Sequence, residues 1–363
     1  MKNAARVLGF AGVGLGLTIF LHAQSGATVK HNGITDVAGI KVGHHTLTER
    51  PTGCTVVLVD GAGAMGGISQ RGAAPGTRET DLLDPLNMVE TVNAVVLTGG
   101  SAYGISVADG VMRYLEEKKT GYPIAGTVVP IVPTAVLMDL GFGGSSTIRP
   151  GADCGYRAAT SASAGAVAEG NVGAGAGATV GKILGDRARA MKTGIGTASI
   201  ALPNGLVVGA IVAVNAVGDV VDPTTGALVA GVRTEDGKRL ADARKVLRSL
   251  AGGSGSRPKA AENTTIAVVA TNARLSKADT NRMALMADDG LARAINPAHT
   301  SADGDTVFAL ATGSFTGRVD VTTIGSLAAD ALAEAIVRAA VQATSSGGLP
   351  SARDLGTVPS RLK

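Results

Sequence analysis

The sequence predicts a layered α/β fold, in which strands and helices alternate along one large domain. Apolar, β-branched runs of strand length recur along the chain and are followed by segments with helical spacing of apolar residues. Glycine contributes 52 of 363 residues, roughly twice its average share, without a collagen-like period. We interpret these glycines as tight turns and close backbone packing inside a compact body.

The individual elements follow from local patterns. Ser276 and Asp279 form a capping-box signature at the start of one helix. The glycine-rich segment 60–85 is too long for a hairpin and is expected to be a functional loop. Segment 232–263 is polar and is expected to be a connection outside the core. Strands are predicted within 34–59, 93–100, 200–222, 265–271 and 305–313, and helices within 101–119, 276–295 and 327–345.

Composition argues against a nucleic-acid partner. The chain has no Trp and only nine Phe and Tyr residues, so it lacks the aromatic platforms on which bases stack. The net charge is +4, and Lys and Arg are scattered instead of forming a basic stripe.

The N-terminus predicts export. Lys2 and Arg6 precede the apolar run 7–21, and Ala23 offers a small residue for cleavage. An uncleaved membrane anchor is the alternative, but it needs about twenty apolar residues. We therefore expect a signal peptide at 1–23 and a mature protein that is periplasmic or secreted, without a membrane segment.

Cys54 and Cys154 could pair in an oxidising compartment. The sequence does not give the distance between them, and neither has the spacing of a metal site. Two buried free thiols are the expectation.

Residues 173–182, GAGAGATVGK, resemble a phosphate-binding loop only superficially. The pattern requires glycine where Ala176 stands and a hydroxyl residue where Ile183 stands, so ATP is not expected. Lys182 in this apolar setting requires a partner or a function.

Other hydrolase and metal signatures are incomplete. Segments 67–71 and 99–103 lack the final glycine of a nucleophile elbow. His299 precedes two aspartates in HTSADGD, but no paired metal-ligand spacing accompanies it. We expect a structural, hydrogen-bonding histidine there.

The stretch ENTTIAVVATN (262–272) places two threonines between a loose Gly-Ser-Pro tract, 251–261, and a predicted strand. If the bond between Asn263 and Thr264 is cut, Thr264 carries a hydroxyl and a free α-amine on one residue. An α-amine has a pKa near 8 and can serve as the base that activates the hydroxyl. On the residues alone, an ordinary strand start remains the alternative.

Four segments, 75–83, 95–104, 263–276 and 295–313, resemble the DmpA-type self-processing aminopeptidases. That group includes β-aminopeptidases and the nylon-oligomer hydrolase, and the similarity extends from about residue 32 to 345. The resemblance implies a four-layer αββα sandwich of the N-terminal-nucleophile type, similar to DmpA and ornithine acetyltransferase. It also implies an α-chain, 24–263, and a β-chain, 264–363, that assemble as tetramers.

The resemblance assigns roles to five side chains. Thr264 is the nucleophile, and Asp303 and Asp305 are the acidic pair that orients its amine and hydroxyl. Asn215 donates to the oxyanion, and Lys182 keeps the amine neutral. No metal or organic cofactor is implied.

The same resemblance leaves the substrate open. Aminopeptidase members have Ser-x-Glu where this chain has Asp-Gly-Asp, as the nylon-oligomer hydrolase does, and Met138 stands where that hydrolase has a tyrosine. Glu79 and Asp81 are candidates for binding a free substrate amine. The leading hypothesis is an exported amidohydrolase that releases N-terminal residues, including β- or D-amino acids, from small peptides and amides. The alternatives are an endo-hydrolase of ω-amino-acid oligomers and a non-catalytic exported binding protein.

Overall fold

The structure, a computed structural model, describes residues 29–185, 187–251 and 263–363. The predicted signal peptide and almost all of the Gly-Ser-Pro tract therefore lie outside the described residues. None of the described helices is both long and apolar enough to span a membrane.

The elements are numbered in chain order. The strands are β1 Ile40–Thr46, β2 Gly53–Val59, β3 Ala64–Gln70, β4 Thr77–Arg78, β5 Thr91–Val92, β6 Ala94–Thr98, β7 Tyr122–Ile124, β8 Thr127–Val129, β9 Thr134–Val136, β10 Thr179–Val180, β11 Met191–Lys192, β12 Ile195–Ala201, β13 Val207–Ala213, β14 Asp219–Val221, β15 Leu228–Ala230, β16 Ile266–Thr271, β17 Ile295–Asn296 and β18 Thr306–Ala311. The helices are α1 Val107–Glu117, α2 Ala152–Ser161, α3 Ala243–Ala251, α4 Lys277–Ala294 and α5 Val321–Val341.

Two sheets face each other and each carries helices on its outer side. The first sheet has the order β1-β2-β6-β9-β4, and the second has the order β12-β13-β16-β18-β3-β5. Helices α1 and α2 cover the first sheet, while α4 and α5 cover the second. This arrangement is the predicted four-layer αββα sandwich.

The period-two alternation of strand side chains fills the layers on both sides of a sheet. In β16, Val268 packs into the core between the two sheets, while Ala267 and Val269 pack against the helices. Phe308 of β18 is buried in the inter-sheet core beside Val268. Replacing a buried phenylalanine such as Phe308 with alanine typically costs about 3–5 kcal/mol of folding stability.

Glycine allows the layers to approach closely. A Cβ at Gly290 of α4 would collide with the Ala329 carbonyl of α5, and one at Gly196 of β12 would collide with the backbone of α5 at Ala335. Alanine at either position would push α5 outward, so part of the high glycine content reflects packing between layers.

The structure corrects three sequence-based expectations. Segment 60–85 is not a loop throughout, because it contains β3, a strand of the second sheet that pairs with β18. Within β3, a Cβ at Gly66 would collide with the Leu83 side chain, and a Cβ at Gly67 would collide with the backbone of α4. This close packing explains why a strand contains so many glycines. Segment 232–263, expected to be a connection, includes α3. Cys54 and Cys154 are not free thiols but form a disulfide that links β2 to α2.

Candidate active site

The two motifs that the sequence separates by forty residues meet at one end of the second sheet. Strands β16 and β18 are parallel neighbours, with Ile266 opposite Thr306. Continuing this register backwards brings Asn263 beside Asp303, and these two residues form a β-bridge. Thr264 therefore lies beside Gly304 at the entrance to the two strands.

The Asn263–Thr264 peptide bond is held at this point by three contacts. The Thr264 N–H donates to the Asn215 carbonyl at 2.7 Å, and the Gly304 N–H donates to the Asn263 carbonyl at 3.2 Å. The Thr264 hydroxyl donates to the same Asn263 carbonyl. Thr264 is only 5% exposed. A hydroxyl and a backbone donor thus converge on one carbonyl group in a site that is largely shielded from water.

Asn215 and Lys182 form a buried pair beside Thr264. The Lys182 ammonium donates to Asn215 Oδ1 at 2.7 Å and lies 3.5 Å from the Asn215 carbonyl oxygen that receives Thr264 N–H. Asn215 Nδ2 donates to the Met138 carbonyl at 3.1 Å. Because its Oδ1 accepts from Lys182, the Asn215 amide has a defined orientation, with its donor group directed toward the segment that carries Met138.

Asp303 and Asp305 hold the backbone around Thr264. Asp305 Oδ1 accepts the N–H of Thr265 at 2.8 Å, and Asp303 Oδ1 accepts the N–H of Val217 at 3.2 Å. Asp303 Oδ2 also accepts from the N–H and the hydroxyl of Thr300, at 3.0 and 2.6 Å. Among the described residues of this uncut chain, neither carboxylate hydrogen-bonds the Thr264 hydroxyl. In the described part of the chain the acidic pair is therefore next to Thr264, and its hydrogen bonds there go to neighbouring backbone groups.

Burial and the repulsion between the two carboxylates change the pKa of Asp303. Burial raises the pKa of Asp303, and the nearby charge of Asp305 raises it further, while the bonds from Thr300 and Val217 oppose the rise. Two close carboxylates of which one has a raised pKa are a common arrangement at catalytic sites.

A cavity of about 200 Å³ opens beside Thr264. Its wall is made mostly of small and apolar residues, and Met138 is part of it. The cavity is lined by Ala74, Pro75, Gly76, Ser101, Ala102, Val136, Met138, Asn263 and Thr264. The side chain of Asn263 is buried here, and its Oδ1 has no hydrogen-bond partner among the described residues.

Glu79 and Asp81, the candidates for binding a substrate amine, are not among the residues that line this cavity. The Glu79 carboxylate accepts the N–H of Val132 at 2.9 Å and thereby ties its own loop to the first sheet. Asp81 is exposed at the start of a short 3₁₀ helix, Asp81–Leu83. Neither carboxylate therefore borders the cavity beside Thr264.

A buried ion pair supports the cavity wall. Arg50 Nη2 lies 3.0 Å from Asp139 Oδ1, and both side chains are fully buried. The Arg50 guanidinium also donates to the carbonyl of Asp139, and Asp139 accepts the N–H of Gly100 at 2.9 Å. The pair fixes the chain that carries Met138 on one side of the cavity and Ser101 on the other.

His299 was expected to be structural, and sequence reasoning missed its connection to the site. Its Nδ1 lies 3.0 Å from Asp305 Oδ2, and its Nε2 lies 3.5 Å from Asp288 Oδ1 on α4. Burial alone would lower the pKa of His299, but the bond to Asp305 and the charge of Asp288 outweigh burial, so the pKa is raised. The only local signal was its position six residues before Asp305.

Two other features lie away from this chemistry. A larger cavity of about 580 Å³ is lined by His45, Arg149 and Arg157 near the start of α2, and none of the predicted site residues borders it. Within residues 29–185, 187–251 and 263–363, no three His, Cys, Asp or Glu side chains cluster as metal ligands.

Comparison with known sequences assigns a family. Residues 32–352 match the profile of peptidase family S58. An uncharacterised aminopeptidase of Mycobacterium leprae is 48% identical over 289 residues, which are 75% of this chain and 76% of that protein. The 6-aminohexanoate-oligomer endohydrolase of a Kocuria species is 31% identical over 272 residues, which are 74% of this chain and 72% of the hydrolase.

Comparison with solved structures confirms the fold. A Burkholderia β-aminopeptidase superimposes with a TM-score of 0.66 at 24% identity and covers 93% of this chain and 96% of its own. The L-aminopeptidase D-Ala-esterase/amidase of Ochrobactrum anthropi, a variant of the N-terminal-nucleophile hydrolase fold, gives a TM-score of 0.67 at 20% identity and covers 92% and 97%.

Proposed function

The chain belongs to peptidase family S58, and from this premise we propose that it is a self-processing hydrolase of peptide and amide bonds whose nucleophile is Thr264. The hydrolase class itself follows from the family and from its aminopeptidase relatives, which leaves the non-catalytic alternative without support. Self-cleavage, the nucleophile and the substrate belong to the proposal.

One observation carries the proposal. The Thr264 hydroxyl and the Gly304 N–H both contact the Asn263 carbonyl, which belongs to the bond that must be cut. A nucleophile and a donor that stabilises negative charge on the same carbonyl oxygen are the two requirements of acyl transfer.

Self-cleavage then proceeds by an acyl shift. Thr264 Oγ attacks the Asn263 carbonyl carbon, the C–N bond breaks, and the Thr264 nitrogen takes up the hydroxyl proton. Water hydrolyses the resulting ester, which releases the Asn263 carboxylate and leaves Thr264 with a free α-amine. The Gly304 N–H stabilises the oxyanion in both steps.

Turnover repeats this chemistry on a substrate in the adjoining cavity. The α-amine of Thr264 takes the hydroxyl proton, Oγ attacks the substrate carbonyl, and the leaving amine receives the proton. Water then hydrolyses the ester on Thr264, which releases the substrate's acyl group as a carboxylic acid and restores the hydroxyl. The ammonium of Lys182, next to the Thr264 backbone, favours the neutral and therefore basic form of the α-amine. Asp305 fixes the backbone at Thr265, so the nucleophile keeps its orientation.

Denaturing electrophoresis of the purified protein tests this function. We expect two fragments, with residue 264 as the first residue of the smaller one by N-terminal sequencing. Thr264→Ala should remain uncut and inactive because no hydroxyl is left, whereas Thr264→Ser retains the hydroxyl and should be cut and active. A Thr264→Ala protein that is processed and hydrolyses substrate would contradict the assignment of the nucleophile.

An endo-acting hydrolase is the second candidate, favoured by the chemistry of the cavity. Among the described residues that line it there is no carboxylate side chain, and a strict aminopeptidase needs an anion to select a free substrate amine. The Kocuria relative, at 31% identity, is named for endohydrolysis of 6-aminohexanoate oligomers. Matched anilide substrates with free and acetylated amines discriminate the two: equal rates on both favour endo-hydrolysis, and loss of activity on acetylated substrates favours an aminopeptidase.

Export of the mature hydrolase and its assembly as a tetramer complete the proposal. Fractionation of expressing cells and size-exclusion chromatography of the processed protein test these two points.

A further inference from the structure

A second hydrogen-bonded group lies behind the acidic pair. Asp305 Oδ2 accepts the backbone N–H of His299 at 3.1 Å and faces its Nδ1 at 3.0 Å, while Asp305 Oδ1 accepts the N–H of Thr265. One carboxylate therefore joins the residue after Thr264 to the loop between β17 and β18. Any movement of His299 is transmitted to the backbone at the nucleophile.

The imidazole continues the chain of contacts to a second carboxylate. His299 Nε2 lies 3.5 Å from Oδ1 of Asp288, a fully buried residue of α4. This is an ion-pair distance, and neither of the two atoms has a hydrogen-bond partner among the described residues. Asp288 Oδ2 accepts the Ser69 hydroxyl at 2.7 Å and lies 3.4 Å from Arg71 Nε. His299 thus lies between two aspartates from different layers of the sandwich: Asp288 in helix α4 and Asp305 just before strand β18.

The backbone of His299 supports a specific role for its side chain. Its φ is +54°, in the left-handed region that residues with a Cβ rarely adopt. Strained conformations of this kind persist where surrounding contacts fix them, and they cluster at functional sites. Here both the backbone N–H and the imidazole are directed at one carboxylate.

We propose that His299 and Asp288 form a buried positioning pair that, with the imidazole protonated, locks the Asp305 carboxylate against the backbone of Thr264–Thr265. The inference rests on the proposed role of Thr264 as nucleophile. Neither member of the pair touches substrate; each acts through Asp305.

The charges around the imidazole favour its protonated form. Asp305 faces it from its own loop, Asp288 faces it from α4, and Arg71 opposes them from the end of β3. Although burial lowers the pKa of His299, the bond to Asp305 and the charge of Asp288 raise it more. Burial raises the pKa of Asp288 to about 6, so this carboxylate is ionised above that pH.

Asp288→Asn tests the pair, and the adjacent Asp289→Asn is the matched control. Asp289 is exposed, and its Oδ1 lies 3.0 Å from Nη1 of Arg71. We expect Asp288→Asn to lower kcat roughly 10- to 100-fold with little change in KM, because the nucleophile is misplaced and the cavity is intact. In a plot of activity against pH, the decrease at alkaline pH should also begin at a lower pH than in the wild type. The reason is that His299 no longer has the negative charge of Asp288 beside it to favour its protonated form. Asp289→Asn should match the wild type in both respects.

A folded Asp288→Asn enzyme with the kcat and pH profile of the wild type would overturn the proposal. If that variant does not fold, ¹⁵N-histidine NMR of the wild-type protein decides, with His299→Gln used for assignment. Titration of His299 above its ordinary pKa supports the pair, and titration at or below that value rejects it. Failure of the nucleophile assignment is recognised separately, because it appears as an active Thr264→Ala protein.

Discussion

The backbone N–H of Gly304 points at the carbonyl oxygen of Asn263, 3.2 Å away, across two parallel chain segments. No side chain is needed for this contact, so it depends only on the register of β16 and β18. The geometry makes Gly304 a second position, besides Thr264, at which the proposed cleavage chemistry can be tested.

Gly304→Ala should slow both self-cleavage and turnover by ~10²–10³-fold, the typical effect of losing one oxyanion donor. An added Cβ would lie 2.9 Å from Thr264 Oγ and would also collide with the Ala74 carbonyl, so the donor and the nucleophile must separate. Rates of precursor disappearance on gels and steady-state kinetics measure the effect. Gly165→Ala, where a Cβ meets only an ordinary contact at 3.5 Å, is the control. Normal self-cleavage in Gly304→Ala would contradict the role of this N–H.

His299→Gln should reduce stability in a pH-dependent manner. The pKa of His299 is raised in the folded protein, so its ion pairs contribute stability that is present below its ordinary pKa of 6.5 and is lost as pH rises through the raised value. The difference in free energy of unfolding between wild type and His299→Gln should therefore be larger at about pH 6.5 than at about pH 9. Urea denaturation at both values measures it.

For this comparison the exposed His31→Gln variant is the control, and it should show no such trend. A difference for His299→Gln that stays constant or grows toward alkaline pH is incompatible with an imidazolium held between Asp288 and Asp305.

Removing the Cys54–Cys154 disulfide should destabilise the protein without abolishing hydrolysis. The bond closes a sequence separation of 100 residues and joins β2 to α2 on the outer side of the first sheet, away from Thr264. Replacing both cysteines with alanine should cost about 2–5 kcal/mol of folding stability. A reducing agent should lower the Tm of the wild type but not of the double variant. Two free thiols in the unreduced, denatured wild type would contradict the bond.

Features that depend on neighbouring residues could be predicted from the sequence. The Ser276 side chain accepts the Asp279 N–H at the start of α4, as the capping box predicts. The strand predicted at 265–271 corresponds to Ile266–Thr271, because an apolar β-branched run has few alternatives in a buried layer. Resemblance to the family then placed Thr264 beside the Asp-Gly-Asp motif, and the parallel register brings them together.

Features that depend on contacts between residues far apart in the chain could not be predicted from the sequence. β3 is glycine-rich because α4 packs against it, and Ser69 in that strand meets Asp288, which is 219 positions later in the chain. Glu79 has the charge that a substrate amine requires, yet its carboxylate is used by the N–H of Val132. The role proposed for His299 depends on its contacts with Asp288 in α4 and Asp305 before β18. No local sequence pattern around His299 predicts the contact with Asp288.

Strand β13 lies before the proposed cleavage point and β16 lies after it, yet they pair along six residues in the middle of one sheet. Once the chain is cut, the two fragments share a single hydrophobic interior that neither can complete alone. Unfolding becomes a dissociation, and recovery requires two separate polypeptides to meet again at low concentration. Maturation would thus replace reversible folding by kinetic stability, in which the lifetime of the native protein is set by a slow rate of opening.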